Sequence, residues 1–359
     1  MRFKTILKIL LLIVLLILLA AACVVAFVTA KLDLIQYADE VDTSVYQQTV
    51  FSDEAKAPEA GDGEGLYIEI GGLEMVETMP EIPEGEVREE ENVINILILG
   101  TDERTKEFNV NARSDAMILM SIDKKANTIK LVSMERGMGV PILDGQYKGN
   151  YDILTHIFRY GGADLVVETV REVLKVDVDH YVRFNFTAVE EIVDMVGGID
   201  MEMTAAEVGY LNACGIQKLA TTSTQKTLVE GMNHLDGGIA LCYARLREID
   251  SDWQRIGRQR RVIIATVQAL KGSGLKELND LANAALPMVQ TNLSKLEIAE
   301  LMLYAPNLLS ASFDQMTIPQ QGTYGGATGL HGQGMFAPDY ELNSQILLEF
   351  LYGTDAVQD

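Results

Sequence analysis

The chain has 359 residues, 48% of them hydrophobic, and a formal net charge of −23. A surface that acidic repels phosphate backbones, which argues against direct nucleic-acid binding. Four scattered histidines (His156, His180, His234 and His331) and three cysteines lack metal-ligand spacing, which argues against a zinc enzyme.

In chain order, the first signal is the run from Ile9 to Ala30, almost wholly apolar and long enough as a helix to cross the roughly 30 Å hydrocarbon layer of a bilayer. Arg2, Lys4 and Lys8 precede it and only Lys31 follows directly, so the expected topology is cytoplasmic N-terminus and extracytoplasmic body. Ala20, Ala21 and Ala22 keep a cleaved signal peptide open as the other reading, but the apolar run continues past Cys23, longer than an ordinary signal core. Residues 1–31 are therefore expected to be a cytoplasmic tip with a single membrane anchor. Residues 32–91 follow as an acidic spacer, expected to bury too little apolar surface to fold stably and to be mobile or extended: between Asp53 and Glu91 only Lys56 and Arg88 oppose the acids, and Gly61, Gly63, Gly65, Pro80 and Pro83 interrupt any pattern.

The globular domain is expected over 92–353, with 354–359 as a tail. VINILIL, closed by Gly100, has the continuous apolar character of a strand covered on both faces. AMILMSI (116–122) and TIKLVSM (128–134) read as two strands of a hairpin turning at Asp123–Asn127. Further on, Ala163–Leu174 has helical spacing, HYVRFNF (180–186) alternates as a strand, and Thr187 is placed to cap a helix ending at Gly197-Gly198. IDMEM (199–203) is a strand, and Asp236 opens a helix carrying Leu241, Cys242 and Arg245; Cys242 reads as a core thiol. Asp250-Ser251-Asp252 opens a helix to about Leu270, more helix follows over 276–309, then a strand near Gln315–Ile318, a glycine-rich loop at 322–334 and a closing helix. The fold class is α/β, with strands and helices alternating in one domain.

Against the acidic background stands RLREIDSDWQRIGRQRR (245–261), six arginines in one short stretch. Guanidinium groups grip phosphate or carboxylate oxygens bidentately, so this stretch reads as an anion site. Asp252, Arg255 and Gln259 follow helical spacing near a helix N-terminus, where the dipole also favours anions. Arg258, Arg260 and Arg261 read as solvated or paired with glutamates. The loop GTYGGATGLHGQG (322–334) lacks the lysine and helix start of a phosphate loop, and reads as a hairpin or flexible rim.

NILILGTDER (95–104), NARSDAMILMSID (111–123), KLVSMERG (130–137), LTHIFRYGG (154–162) and YARLREIDSDWQRIGRQR (243–260) resemble, in that order, the motifs of the LytR-CpsA-Psr family. The resemblance implies a central mixed sheet flanked by helices, an apolar tunnel for a prenyl chain, and one N-terminal membrane helix. It further implies a magnesium-dependent phosphotransferase that attaches a polyprenyl-pyrophosphate-linked glycopolymer (teichoic acid, capsular or other wall polysaccharide) to peptidoglycan at the outer face of a Gram-positive membrane. Asp102 and Asp115 match the family's metal-binding aspartates. Arg113, Arg136, Arg245, Arg247 and Arg255 match its pyrophosphate-gripping arginines, with Gln259 in support. Arg104, beside Asp102, has a lesser claim. Asp102 and Arg136 are the expected catalytic residues, Asp102 as a candidate base toward the acceptor hydroxyl. Asp252 is expected either to hold Arg255 or Arg247 or simply to cap its helix. Leu165, Val166, Val170, Val189, Ile192, Val193 and Val196 have helix-face spacing, with plain core and tunnel wall both open.

The chain departs from the family pattern at three places. Glu135 stands where proline is frequent, Gly137 where aspartate follows the arginine, and Ile153 where lysine is common. The lost acid and base read as a compensating pair, as a change of donor, or as weakened activity. The other functions kept open are a lipid-glycan binding or scaffold protein and a polyprenyl pyrophosphate hydrolase.

Overall fold

The computed structural model describes residues 26–37, 68, 70–101, 108, 113–178, 180–215, 227–271 and 275–353. The apolar runs assemble into a seven-stranded mixed sheet: β1 (Gln36–Tyr37), β10 (Val289–Thr291), β7 (His180–Asn185), β2 (Val93–Thr101), β3 (Ser114–Asp123), β4 (Thr128–Met134) and β11 (Ser312–Ile318), in that spatial order. The β2–β3–β4 meander is antiparallel, while β7 joins β2 and β11 joins β4 in parallel. At the meander's second turn the Asp123 carboxylate accepts the N–H groups of Lys125 and Ala126 at 2.8 Å each, which fixes the hairpin read from the sequence.

Side chains alternate across this sheet. One set (Leu97, Leu99, Met117, Leu119, Val132 and Met134) packs with α1 (Leu154–Leu174) and α8 (Tyr340–Tyr352) into the larger buried core, with Met316, Leu348, Phe350 and Tyr352 partly buried at its edge. The other set (Ile98, Ile118, Ile129 and Leu131) meets Ile263 and Ile264 of α5 (Asp252–Leu270) and Leu308 of α7 (Lys295–Leu308). On this side Met120, Phe184, Ile263, Ile264 and Leu308 are only partly buried. A third cluster joins the two-stranded sheet of β8 (Ile199–Met203) and β9 (Gly231–Leu235) to α2 (Phe186–Met195), α3 (Ala205–Tyr210), α4 (Gly237–Arg245) and Val262 and Ala265 of α5.

Several boundaries differ from the sequence reading. α1 starts at Leu154 and continues through a kink at Gly161 and Gly162, because Gly162 takes φ 70°, a left-handed conformation open to glycine. The cap of α2 is Asn185, whose side chain accepts the Ala188 N–H, rather than Thr187. The span 276–309 is not continuous helix: α6 (Leu275–Ala285) ends before Pro287, and the chain adds β10 to the sheet before α7 begins. The glycine-rich loop is a hairpin of β12 (Tyr324–Thr328) and β13 (Gly334–Pro338).

The membrane-anchor run lies mainly outside the described residues, among which no helix is long and apolar enough to cross a membrane. Its end, residues 26–32, is helical and leads into β1, which pairs with β10. Residues 70–91 of the expected spacer lie against the domain, although their composition reads as too poor in apolar residues to pack. Ile68 is buried, Met75 bridges to Gly326, and Arg88 bridges to Val176. Its few apolar residues suffice because the hairpin and α1 supply the rest of the contact surface.

Candidate active site

The site forms where β2 ends, β3 begins and β4 ends. Gly100 permits it: a Cβ there would stand 3.0 Å from the Cβ of Ala116, and the pairing register shifts just after it. Beyond Met134 the backbone of 135–138 is held on three sides. The Glu135 N–H donates to Ile318 O (2.8 Å), the Phe336 N–H to Gly137 O (2.9 Å), and the N–H groups of Leu154 and Thr155 to Met138 O (2.8 Å) and Arg136 O (3.1 Å). Thr155 Oγ1 also donates to Ser114 O at 2.9 Å, tying the start of β3 to α1.

Arg136 is thereby aimed at two carboxylates. Its Nη1 stands 3.5 Å from Asp115 Oδ1 and its Nε 3.1 Å from Asp252 Oδ2. Arg255, one turn along α5, donates to the same Asp252 oxygen at 2.9 Å and reaches the Asp115 carbonyl at 3.5 Å. Asp252 therefore holds Arg255 and Arg136 together, while the cap residue Ser251 makes no side-chain cap. Burial pushes the Asp115 carboxyl up, but the guanidiniums of Arg136, Arg255, Arg113 and Arg247 outweigh it and hold it below the ordinary carboxylate range. Asp252 is depressed in the same way, its burial outweighed chiefly by Arg255 and Arg136. Four of the five expected arginines thus share one field with Asp115.

The Arg245 guanidinium lies over the Phe186 ring, 4.4 Å from its centre. Gln259 follows Arg255 by one turn, and its Oε1 is buried with no hydrogen-bond partner. Asp102 and Arg104 lie outside the described residues. Arg258 is buried rather than solvated: it binds Asp250 Oδ1 (2.6 Å), Glu207 Oε1 (3.4 Å) and Leu246 O (2.6 Å), which locks α5 to α3 and α4. Arg261 pairs with Glu207 as well, whereas Arg260 binds Gln315 and Thr317 instead of a glutamate. Leu165, Val166 and Val170 belong to the closed core of α1, and Val193 to that of α2.

The sequence reading treated Glu135 only as a departure, yet it is fully buried amid the charged groups. Burial and the neighbouring Asp252 carboxylate push it up to about 8, so at neutral pH it is a proton donor toward Asp252. Its chain neighbour and Ile153 share another setting. A Cβ on Gly137 would fall 2.6 Å from Ile68 Cδ1, and Ile153 lies in the same apolar cluster as Ile68, Met335 and Phe336. A charge at either place would meet hydrocarbon, so the loss of both is one structural change. A second unread feature is Asp152, wholly buried beneath α1, which binds His156 Nδ1 (3.0 Å), Tyr160 and Gln333. The Asp152, His156, Tyr160 spacing of four residues was its only signal in the sequence.

A divalent cation of the magnesium type needs one or two carboxylates and fills its remaining positions with water and phosphate. Asp115, ionised and only loosely engaged by Arg136, has that character. Among the described residues no three acidic, histidine or cysteine side chains are grouped as a self-sufficient metal cage.

Comparison with known proteins places this architecture. The model of the LytR_cpsA_psr family matches residues 70–345. Polyisoprenyl-teichoic acid–peptidoglycan teichoic acid transferase TagT of Bacillus subtilis (strain 168) is 34% identical over 227 residues, 62% of this chain and 67% of that protein. The TagU transferase of Bacillus mycoides (strain KBAB4) is 31% identical over 234 residues, covering 64% and 69%. Among solved structures, TagT bound to LIIa-WTA superposes with TM-score 0.58 at 28% identity, over 73% of this chain and 90% of that one. TagT (YwtF) with bound octaprenyl pyrophosphate lipid gives TM-score 0.53 at 26% identity, over 76% and 94%. The central mixed sheet flanked by helices is the architecture of these structures.

Proposed function

The chain belongs to the LytR-CpsA-Psr family, and on that premise we propose that it transfers a glycopolymer from a polyprenyl pyrophosphate carrier to peptidoglycan. The observation that carries this reading is the joining of two unlike surfaces. Arg113, Arg136, Arg247 and Arg255 converge on Asp115 at the end of the sheet, and the sheet face beneath α5 and α7 is apolar but only partly buried at Met120, Phe184, Ile263, Ile264 and Leu308. A pyrophosphate suits the first surface and a prenyl tail the second. The relatives named for teichoic acid transfer, and the TagT structure with octaprenyl pyrophosphate, support the same donor class. The N-terminal apolar run would anchor the chain in the membrane, with the domain outside.

In the reaction, a hydroxyl oxygen of the peptidoglycan sugar attacks the phosphorus that bears the glycan. The anhydride P–O bond breaks, polyprenyl phosphate leaves with the bonding electrons, and a phosphodiester forms. Guanidiniums already in place stabilise the developing charge without reorganising. Arg136 and Arg255 are presented on a rigid backbone, with Asp252 as their common counter-ion. Gln259 offers its amide from the next turn of α5. Asp102 is the candidate acceptor of the hydroxyl proton. Asp115, with Asp102, would hold a magnesium ion, which when bound neutralises phosphate charge and lowers the pKa of a hydroxyl.

The test uses the full chain in detergent with a polyprenyl-pyrophosphate glycan and peptidoglycan fragments, with and without magnesium. A magnesium-dependent phosphodiester product is expected. Tight donor binding with no product would replace the transferase by a lipid-glycan binding protein, the reading that Gly137 and Ile153 keep open. Release of free glycan phosphate would make it a hydrolase.

A further inference from the structure

The two most exposed large hydrophobic side chains among the described residues are Leu303 at 84% and Leu296 at 70%, both on α7. They lie two helical turns apart and so share a face. Met302, also exposed, lies beside Leu303. Solvated leucines at that spacing on one helix call for an occupant.

Three observations place this face. Tyr304 of α7 donates to Lys124 O (3.1 Å) and Asn127 Oδ1 (3.2 Å) in the β3–β4 turn, and Glu297 meets His180 at the start of β7 (3.2 Å). Strand register puts this end of the sheet opposite the site: Val93 pairs with Asp123 here, while Thr101 pairs with Ser114 beside Asp115. The chain from the N-terminal apolar run also arrives here. Lys295, the first residue of α7, pairs with Asp33 and lies 5.6 Å from the centre of the Tyr37 ring, and β1 pairs with β10 just before α7. Phe27 and Leu34 on that arriving segment are exposed too.

We propose that the Leu296–Leu303 face of α7 seats on the outer surface of the lipid bilayer, next to the point where the anchor emerges. The bilayer is the occupant because the chain's own apolar run ends beside the first turn of α7, where Lys295 meets Asp33 and Tyr37; Glu300 shares the side of the leucines, which project past it, and apolar area buried beside an anchor adds to binding. The arginine site then stands off the membrane by the length of β2, a nine-residue strand of roughly 30 Å. The half-buried apolar face runs between the two, so a prenyl tail spans from bilayer to site. This rests on the anchor reading of the proposed function.

The single tryptophan, Trp253, sits in the first turn of α5 at the site end and serves as a built-in reporter. The full chain is reconstituted into vesicles of phosphatidylglycerol and dibrominated phosphatidylcholine, whose bromines quench indole emission. Native Trp253 should keep its emission. Leu303→Trp and, separately, Leu296→Trp on a Trp253→Phe background should lose most of theirs, and Leu16→Trp reports on the anchor. Emission retained at 303 and 296 while position 16 is quenched overturns the docking face and leaves the anchor. Emission retained at all three overturns both. Quenching of Trp253 overturns the orientation, and concentration-dependent shielding of position 303 without bromine quenching assigns the face to a second copy instead.

Discussion

The two faces of the central sheet are built from the same strands and similar residue types, yet they are packed differently. Under α1 and α8 the side chains of Leu97, Leu99, Val166, Val170 and Phe158 are closed off. Under α5 and α7 the alternate residues of those strands meet partners that remain partly open. The larger cluster contributes more stability in proportion to its buried area, whereas the smaller one leaves a greater share of its side chains partly exposed. The larger face is the main source of stability, the smaller is the one proposed above for the prenyl tail, and the arginines near Asp115 sit at the end of the sheet.

The most severe test of that contrast is a matched pair of truncations. Phe158→Ala on the closed face should cost about 4 kcal/mol in denaturant unfolding, and Phe184→Ala on the open face about 1 kcal/mol. Equal costs would erase the distinction. At the rim, Asp115→Asn should lower transfer roughly 100-fold to 1000-fold with an unchanged Tm, as removal of a charge-organising group does; near-normal turnover would remove Asp115 from the mechanism. Gly137→Ala forces a methyl onto Ile68 and should cost about 2 kcal/mol as overpacking. The double variant Ile68→Ala, Gly137→Ala should recover most of that stability and of the donor KM. Additive losses would mean that Ile68 does not position the Arg136 backbone.

Smaller effects probe the open face and the buried acid. Met120→Trp should raise KM for a long-chain donor about tenfold, near 1.4 kcal/mol, while a short-chain donor and Tm are little affected. If both donors suffer alike, the open face is not the tail site. Glu135 stands at about 8 in the fold against an ordinary value of 4.5. The folded chain therefore holds a proton that the unfolded chain has released. The resulting stability is whole below 4.5 and is lost as pH rises through about 8. Glu135→Gln keeps a donor toward Asp252 and should flatten that decline between pH 5 and 8; an unchanged slope would assign the loss to another group.

Much of this was legible before the fold was known. A continuous apolar run marked β2, because a doubly covered strand leaves no polar alternation to obscure it, and the polar turn at Asp123–Asn127 marked the hairpin of β3 and β4. Arg136, Arg247 and Arg255 were found by motif, and the field they share with Asp115 bears on why those residue types recur there. The short strands β5 (Gly139–Pro141), β6 (Tyr151–Ile153) and β10 were not read, since three residues carry too little periodicity, nor was β9, whose glycine and asparagine are poor strand formers. Arg245 and Arg258 show the limit within a single motif. Sequence distance cannot distinguish a guanidinium over Phe186 from one buried against Asp250 and Glu207, or either from one beside Asp115.

Composition and order alone determined the fold class and the family motifs and singled out the arginine-rich stretch, because hydrophobic periodicity and residue chemistry are local properties. Tertiary structure decided which arginines meet, that Glu135 keeps a proton beside Asp252, and that Ile68 fills the space beside Gly137. It also decided that one face of the sheet carries a large buried core and the other a small one. Those outcomes depend on contacts between residues far apart in the chain, where burial and neighbouring charge, rather than residue type, set the energy.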